Sequence, residues 1–170
     1  MRVFFTADCH FGHSNIIEYT NRPFKNVNHM NEEIIKRWNE QVNQEDLVYH
    51  LGDFCFKGDK IALDFEKRLN GNIVHIGGNH DYNNGVKTLI TSAYMQFGGL
   101  EVLAQHQPPT TIEEIPDYTD LILCGHIHNK WKHSFIENIP IINVGVDVWD
   151  FTPVKIDNII KYRNKLKEEV

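Results

Sequence analysis

Apolar residues along the chain fall into short runs of strand type, separated by segments of helical period. The runs at 2–7, 47–51 and 73–76 are short and rich in Val, Ile, Leu and Phe, and they predict strands. Between them, Ile34, Ile35, Trp38 and Val42 share one face of a helix over 31–42, with Asn31 placed as its cap. Ile61, Leu63, Phe65 and Leu69 are partly periodic and predict a helix over 59–69, with Gly71 just past its end. After Asn79 the pattern changes. A short helix is expected over 86–91, and 94–97 with 100–104 flank Gly98-Gly99 as a hairpin. A strand over 121–124, a second hairpin from 133–136 and 141–144, and a last helix over 157–168 complete the reading. There is no internal repeat, low-complexity segment or linker. Strand–helix alternation followed by hairpins predicts one α/β domain over 1–170, with packed sheets and helices outside.

Five of the apolar runs stop at a side chain that can bind a metal. The first ends in Asp8, with His10 two residues on. The second ends in Asp53, and the third in Asn79, followed by His80 and Asp81. The run from Leu100 ends in His106. The run from Leu121 ends in His126, with His128 two residues on. Sites in α/β proteins form where strands end and loops begin. If the strands continue, period-two alternation places Asp8 with His10, and His126 with His128, on shared faces. Cys9 and Ile127 then point away. Gly52, Gly77, Gly78 and Gly125 precede the polar residues and permit sharp exits and close backbone approach.

Composition narrows the function classes. The chain has 170 residues, 41% hydrophobic and 24% charged, enough for a real core. No apolar stretch approaches the roughly 20 residues that span a bilayer. The apolar start is interrupted at Asp8 and His10, so no signal peptide is expected. Three cysteines without CxxC spacing suggest reduced, buried thiols, and a cytoplasmic setting is expected. With net charge −6 and basic residues dense only over 161–167, a small anionic substrate fits better than a long nucleic acid.

Asp8-x-His10, Gly52-Asp53, Gly78-Asn79-His80-Asp81, His106 and Gly125-His126-x-His128, in that order, resemble the five signature blocks of the calcineurin-like metallophosphoesterase superfamily. The flanks 11–17, 21–24 and 143–149 look like those of its small bacterial and phage members. The resemblance implies a four-layer αββα sandwich. It implies a first metal held by Asp8, His10 and His128, a second by Asn79, His106 and His126, and Asp53 bridging both. His80 resembles the histidine beside the substrate phosphate, and Asp81 next to it is expected either to orient His80 or to serve its loop. The family's large cap domains have no room here.

The implied chemistry is hydrolysis of a phosphate ester by a metal-activated water. Two divalent ions bring four positive charges against two negative ones from Asp8 and Asp53, which leaves the site electropositive. The mixed ligand set suits Mn²⁺, Fe²⁺, Zn²⁺ or Ni²⁺. A phosphodiesterase acting on a small or nucleotide-like substrate is expected. A phosphomonoesterase, a nuclease or a non-catalytic scaffold on the same residues are the alternatives, and the oligomeric state is left open. His13, Asn15 and Arg22 follow the first motif closely and are placed against the substrate. His50 and His75 lie inside strand runs and are expected to be structural. Trp131, Trp149 and Phe151 are expected in the core, with base stacking as the other option.

Overall fold

The computed structural model describes residues 1–56 and 59–168. Among them, strands β1 (Val3–Thr6), β2 (Leu47–His50), β3 (Asn72–His75) and β9 (Val154–Lys155) form one sheet, in the order β3-β2-β1-β9. Strands β4 (Ser92–Phe97), β5 (Leu100–Gln105), β6 (Leu121–Cys124), β7 (His133–Ile136) and β8 (Ile139–Asn143) form the second, in the order β4-β5-β6-β8-β7. Within each sheet three strands run parallel, β1 with β2 and β3, and β5 with β6 and β8. Their carboxyl ends therefore lie on one edge of each sheet.

Side-chain alternation sorts the strand residues into layers. Phe4 and Val48 face the helix α2 (Val27–Gln41), which contributes Ile34, Ile35 and Trp38. Phe5, Leu51, Ile76, Val102, Leu121, Leu123 and Ile142 fill the space between the sheets. Leu103, Ile122 and Ile141 point out of the other face of the second sheet, where Ile112 and Ile115 cover them. This is the expected layered sandwich of two sheets, with α-helices over the outer face of the first. The cover over the second sheet is thin, built around a 3₁₀ turn at Ile112–Glu114. Helix α4 (Ile156–Glu168) packs back on β1, β8 and β9. No helix among the described residues is long and apolar enough to cross a membrane.

Several local expectations are corrected. The cap of α2 is Asn26, whose side chain accepts from the His29 N–H at 2.9 Å; Asn31 lies inside the helix. There its side-chain Oδ1 accepts from Gly12 N at 3.0 Å and pins the loop after β1. Helix α3 ends at Glu66 (Asp59–Glu66), one turn short of the apolar pattern. Residues 86–90 are not helical; a 3₁₀ turn at Tyr82–Asn84 precedes them and closes with Gly85 in the left-handed conformation. The short helix α1 (Ile16–Tyr19) and strand β9 carried no periodic signal because each is at most one turn or two residues long.

Candidate metal centre

The strands stop before the candidate ligands do. Asp8, His10, Asp53, His126 and His128 all have positive φ, between 51 and 71°. Non-glycine residues seldom occupy this region, and five of them just past the ends of β1, β2 and β6 mark a built site. Period-two continuation of β1 and β6 is therefore not what aligns the paired residues; alternate left-handed residues are. Ladder-like bonds hold these loops open. Asp8 N donates to Gly52 O at 3.0 Å, His10 N to Asp53 O at 3.0 Å, and Phe11 N to Phe54 O at 2.9 Å. A bridge from Ala7 to Gly145 ties the first sheet's edge to the second's. As expected, Cys9 turns into the core; Ile127, also buried, does not point away but lines a cleft beside the site.

Close approach explains two of the glycines. Gly52 has φ +91°, and a Cβ there would collide with the His106 ring and the Gly78 backbone. A Cβ on Gly78 would collide with the Asp53 carboxylate and amide. The loops after β2 and β3 can lie against each other only because both positions lack a side chain.

All seven predicted ligands come together. Asp53 Oδ2 sits 3.5 Å from His10 Nε2 and 3.5 Å from His106 Nε2. Donor atoms of Asp8, His10 and His128 all lie within 4.8 Å of one another, as do those of Asp8, Asp53 and His106. Asn79 Oδ1 is 2.9 Å from His106 Nε2 and 3.1 Å from His126 Nδ1. Asp8, His10, Asp53 and His106 are buried, whereas His126 and His128 are half-buried and Asn79 is exposed. The cluster thus has a closed floor and an open rim.

The charges and lone pairs at this floor fit a cation. His106 Nδ1 lies 2.7 Å from Leu51 O, which can only accept, so Nδ1 carries the proton. Neutral His106 then aims a bare Nε2 at Asn79 Oδ1 and Asp53 Oδ2. Lone pairs facing each other in a buried site need a proton or a metal between them. Without a metal a proton serves: burial opposes it, but the Asp53 contact and the Asp8 and Asp53 charges raise the His106 pKa to about 9. Burial would raise Asp53 as well, yet His106 and His10 hold it below the usual carboxylate range. Burial lifts Asp8 to about 6 and drops His10 to about 3. Neither ring nitrogen of His10 has a hydrogen-bond partner among the described residues, although the side chain is buried. Orphaned imidazole, two carboxylates and an amide oxygen form a donor set for a borderline divalent ion.

Residues behind the cluster fix its orientation. His128 Nδ1 is 3.0 Å from Asp147 Oδ2, so its N–H donates to the carboxylate and Nε2 is left for the site. Asp147 is gripped in turn by Arg22, through Nε at 2.8 Å and Nη2 at 2.9 Å. Arg22 also donates to Asp8 O at 2.7 Å and Cys9 O at 3.0 Å. Arg22 is thus buried behind the metal-capable residues, which corrects its placement against the substrate. Of the two roles open to Asp81, the hydrogen bonds fit the loop role. Its carboxylate accepts from Asp53 N and Phe54 N, each at 2.9 Å, and from Gly78 N at 2.8 Å, so it joins two loops instead of orienting the His80 ring. The sequence reading missed Asp147 as a partner of His128. It also missed Asn143, buried, which donates to His128 O and Trp131 O and accepts from Gly145 N. A polar residue inside the apolar run 139–146 was the available signal.

Two clefts without a shared lining residue open onto the cluster. One, of about 300 Å³, includes His10, His13, His80, His126 and His128. The other, of about 430 Å³, includes Asn79, His106, Thr91, Ser92 and Gln107. His80 is exposed; its backbone N–H donates to Asp53 Oδ1 at 3.1 Å. Asn15 is exposed beside α1 and lines neither cleft. Trp149 packs on Tyr162 and Phe151 on Phe24, and Trp131 covers the second sheet, so these aromatic residues serve packing.

Residues 1–153 match the model of the calcineurin-like phosphoesterase superfamily domain. An uncharacterized protein of Methanocaldococcus jannaschii is 36% identical, covering 98% of this chain and 93% of its own length. The gene 66 protein of Mycobacterium phage D29 is 29% identical over 98% of each chain. A solved protein of unknown function from Aquifex aeolicus superposes with a TM-score of 0.73 at 26% identity, covering 95% of this chain and 98% of that one.

Proposed function

The chain belongs to the calcineurin-like phosphoesterase superfamily of metal-dependent phosphoester hydrolases, and from that premise we propose that it is a phosphodiesterase working with two divalent ions. The observation that carries two ions is the place of Asp53, one oxygen of which lies 3.5 Å from a ring nitrogen in each half of the cluster. Asp8, His10 and His128 would hold one ion, Asn79, His106 and His126 the other. When bound, such a pair supplies Lewis-acid polarisation of the phosphoryl group and a water acidic enough to attack at neutral pH. Mn²⁺, Fe²⁺, Zn²⁺ and Ni²⁺ all suit these donors.

The protein's own residues supply position and protons. The left-handed residues and the Arg22–Asp147–His128 chain hold the ligands before substrate arrives. His80, exposed at the rim with its backbone fastened to Asp53, is free to donate a proton to the departing oxygen or to neutralise charge on the phosphoryl group. The two clefts support a diester: each offers room for one ester arm, where a monoester has a single arm. Residues 1–170 are read as one domain, since α4 packs back on the sheets, and the buried free cysteines suit a cytoplasmic setting.

The test is a metal-reconstituted comparison of bis(p-nitrophenyl) phosphate with p-nitrophenyl phosphate, with Mn²⁺ and with EDTA. Metal-dependent turnover favouring the diester is expected. Preference for the monoester would overturn the diester reading, and absence of metal-dependent turnover would favour a scaffold.

A further inference from the structure

Resting on the diesterase reading, the asymmetry of the two clefts fixes how a substrate lies. The larger cleft is lined by backbone and by neutral polar side chains, Thr91, Ser92, Gln105 and Gln107 among them. The smaller one has an apolar floor of Ile16 and Ile127, both buried, and Lys130 on its rim. Its wall is aromatic. The His13 ring stacks on Phe56 at 4.4 Å between centroids, and Tyr19 stands edge-on to His13 at 6.3 Å. Tyr19 is 70% exposed, so its ring is not held by packing and is available to a ligand. A tyrosine presents a large apolar face at a small entropic cost, which suits it to a flat aromatic group.

His80 lines the smaller cleft and not the larger one. A proton donor must lie within hydrogen-bond reach of the oxygen it protonates. We infer that the substrate is an unsymmetrical diester whose aromatic arm lies against Tyr19 and His13 and departs as the alcohol, while a polyol arm stays in the polar cleft on the phosphate. In the step, the attacking water's oxygen bonds to phosphorus and keeps one proton, the other returns to His80 through solvent, and the bond to the aromatic arm's oxygen breaks with its electron pair going to that oxygen. That oxygen takes a proton at the His80 side, and the polyol monophosphate is left.

Benzyl glyceryl phosphate tests this, because its two alcohols have similar acidity and the enzyme must choose between them. The Mn²⁺-supplemented protein is expected to give glycerol phosphate in at least about fivefold excess over benzyl phosphate, the low end of what stacking one ring on an aromatic side chain is worth. Tyr19→Ala should bring the ratio towards one and raise KM for bis(p-nitrophenyl) phosphate about fivefold with kcat little changed. Tyr19→Phe should behave as the wild type. An even mixture, an excess of benzyl phosphate, or a Tyr19→Ala protein that keeps the wild-type ratio would overturn the inference. So would a protein that turns over bis(p-nitrophenyl) phosphate but leaves benzyl glyceryl phosphate intact. Absence of metal-dependent turnover of both diesters would sink the diesterase reading itself.

Discussion

Arg22 and Asp147 form a two-point ion pair, Nε to Oδ1 at 2.8 Å and Nη2 to Oδ2 at 2.9 Å, with both side chains closed to solvent. The same carboxylate takes the His128 Nδ1–H, so the pair decides which ring nitrogen faces the candidate centre. Asp147→Asn puts an amide where Arg22 needs an acceptor and allows the other His128 tautomer. Metal affinity is expected to fall about 10–100-fold, with the loss confined to one ion of the pair. Calorimetric titration with Mn²⁺ checks this, and unchanged binding of both ions would contradict it. Arg22→Ala strands Asp147 as an uncompensated buried charge and should cost about 3–5 kcal/mol in urea unfolding of the metal-free protein.

Asp81 offers a separate test of scaffold against chemistry. Three backbone N–H groups depend on its carboxylate. Buried donors left unsatisfied cost about 1–3 kcal/mol each, so Asp81→Ala should destabilise the protein by at least about 3 kcal/mol. A variant of wild-type stability with low kcat would return Asp81 to the role of orienting His80.

His80 should show the opposite pattern. His80→Ala is expected to lower kcat about 10²–10⁴-fold while metal content and thermal stability stay at wild-type values. Elemental analysis beside the kinetics checks the separation, because loss of metal together with rate would make His80 a ligand.

His50 predicts a pH dependence. It is fully buried in β2, neither ring nitrogen has a partner among the described residues, and burial followed by the nearby His75 pushes its pKa well below the ordinary value. Folded protein therefore keeps it neutral, while unfolded chain takes up a proton below about pH 6.5. The unfolded state binds more protons there, so stability contributed by neutral His50 is present above that pH and lost as pH falls. His50→Leu should flatten the decline in melting temperature below about pH 6.5, measured in EDTA. An unchanged slope would contradict this.

Much of this site was legible in the chain because strand ends are easy to see. An apolar run broken by Asp8 or Asp53 marks both the end of a strand and the residue placed there. The side-chain directions were not legible in the same way. Asp8, His10, His126 and His128 share their orientation through left-handed backbone, which no pattern of apolar positions encodes. Arg22 and Asp147 are 125 positions apart, and nothing local announces that they meet. The start of α2 was misplaced because two good caps, Asn26 and Asn31, stand five residues apart, and tertiary contact with Gly12 claims the second. The 86–91 segment shows the limit of short windows. Its few apolar residues fit one helical turn, but Gly77 N bonds to Ile90 O and draws the chain out along the β3 loop.

Anomalous diffraction from crystals grown with Mn²⁺ tests the central claim most directly. Two peaks are expected, one among Asp8, His10 and His128, the other among Asn79, His106 and His126, with Asp53 touching both. A single peak away from Asp53, or Mn²⁺ bound elsewhere with these seven side chains left bare, would contradict it.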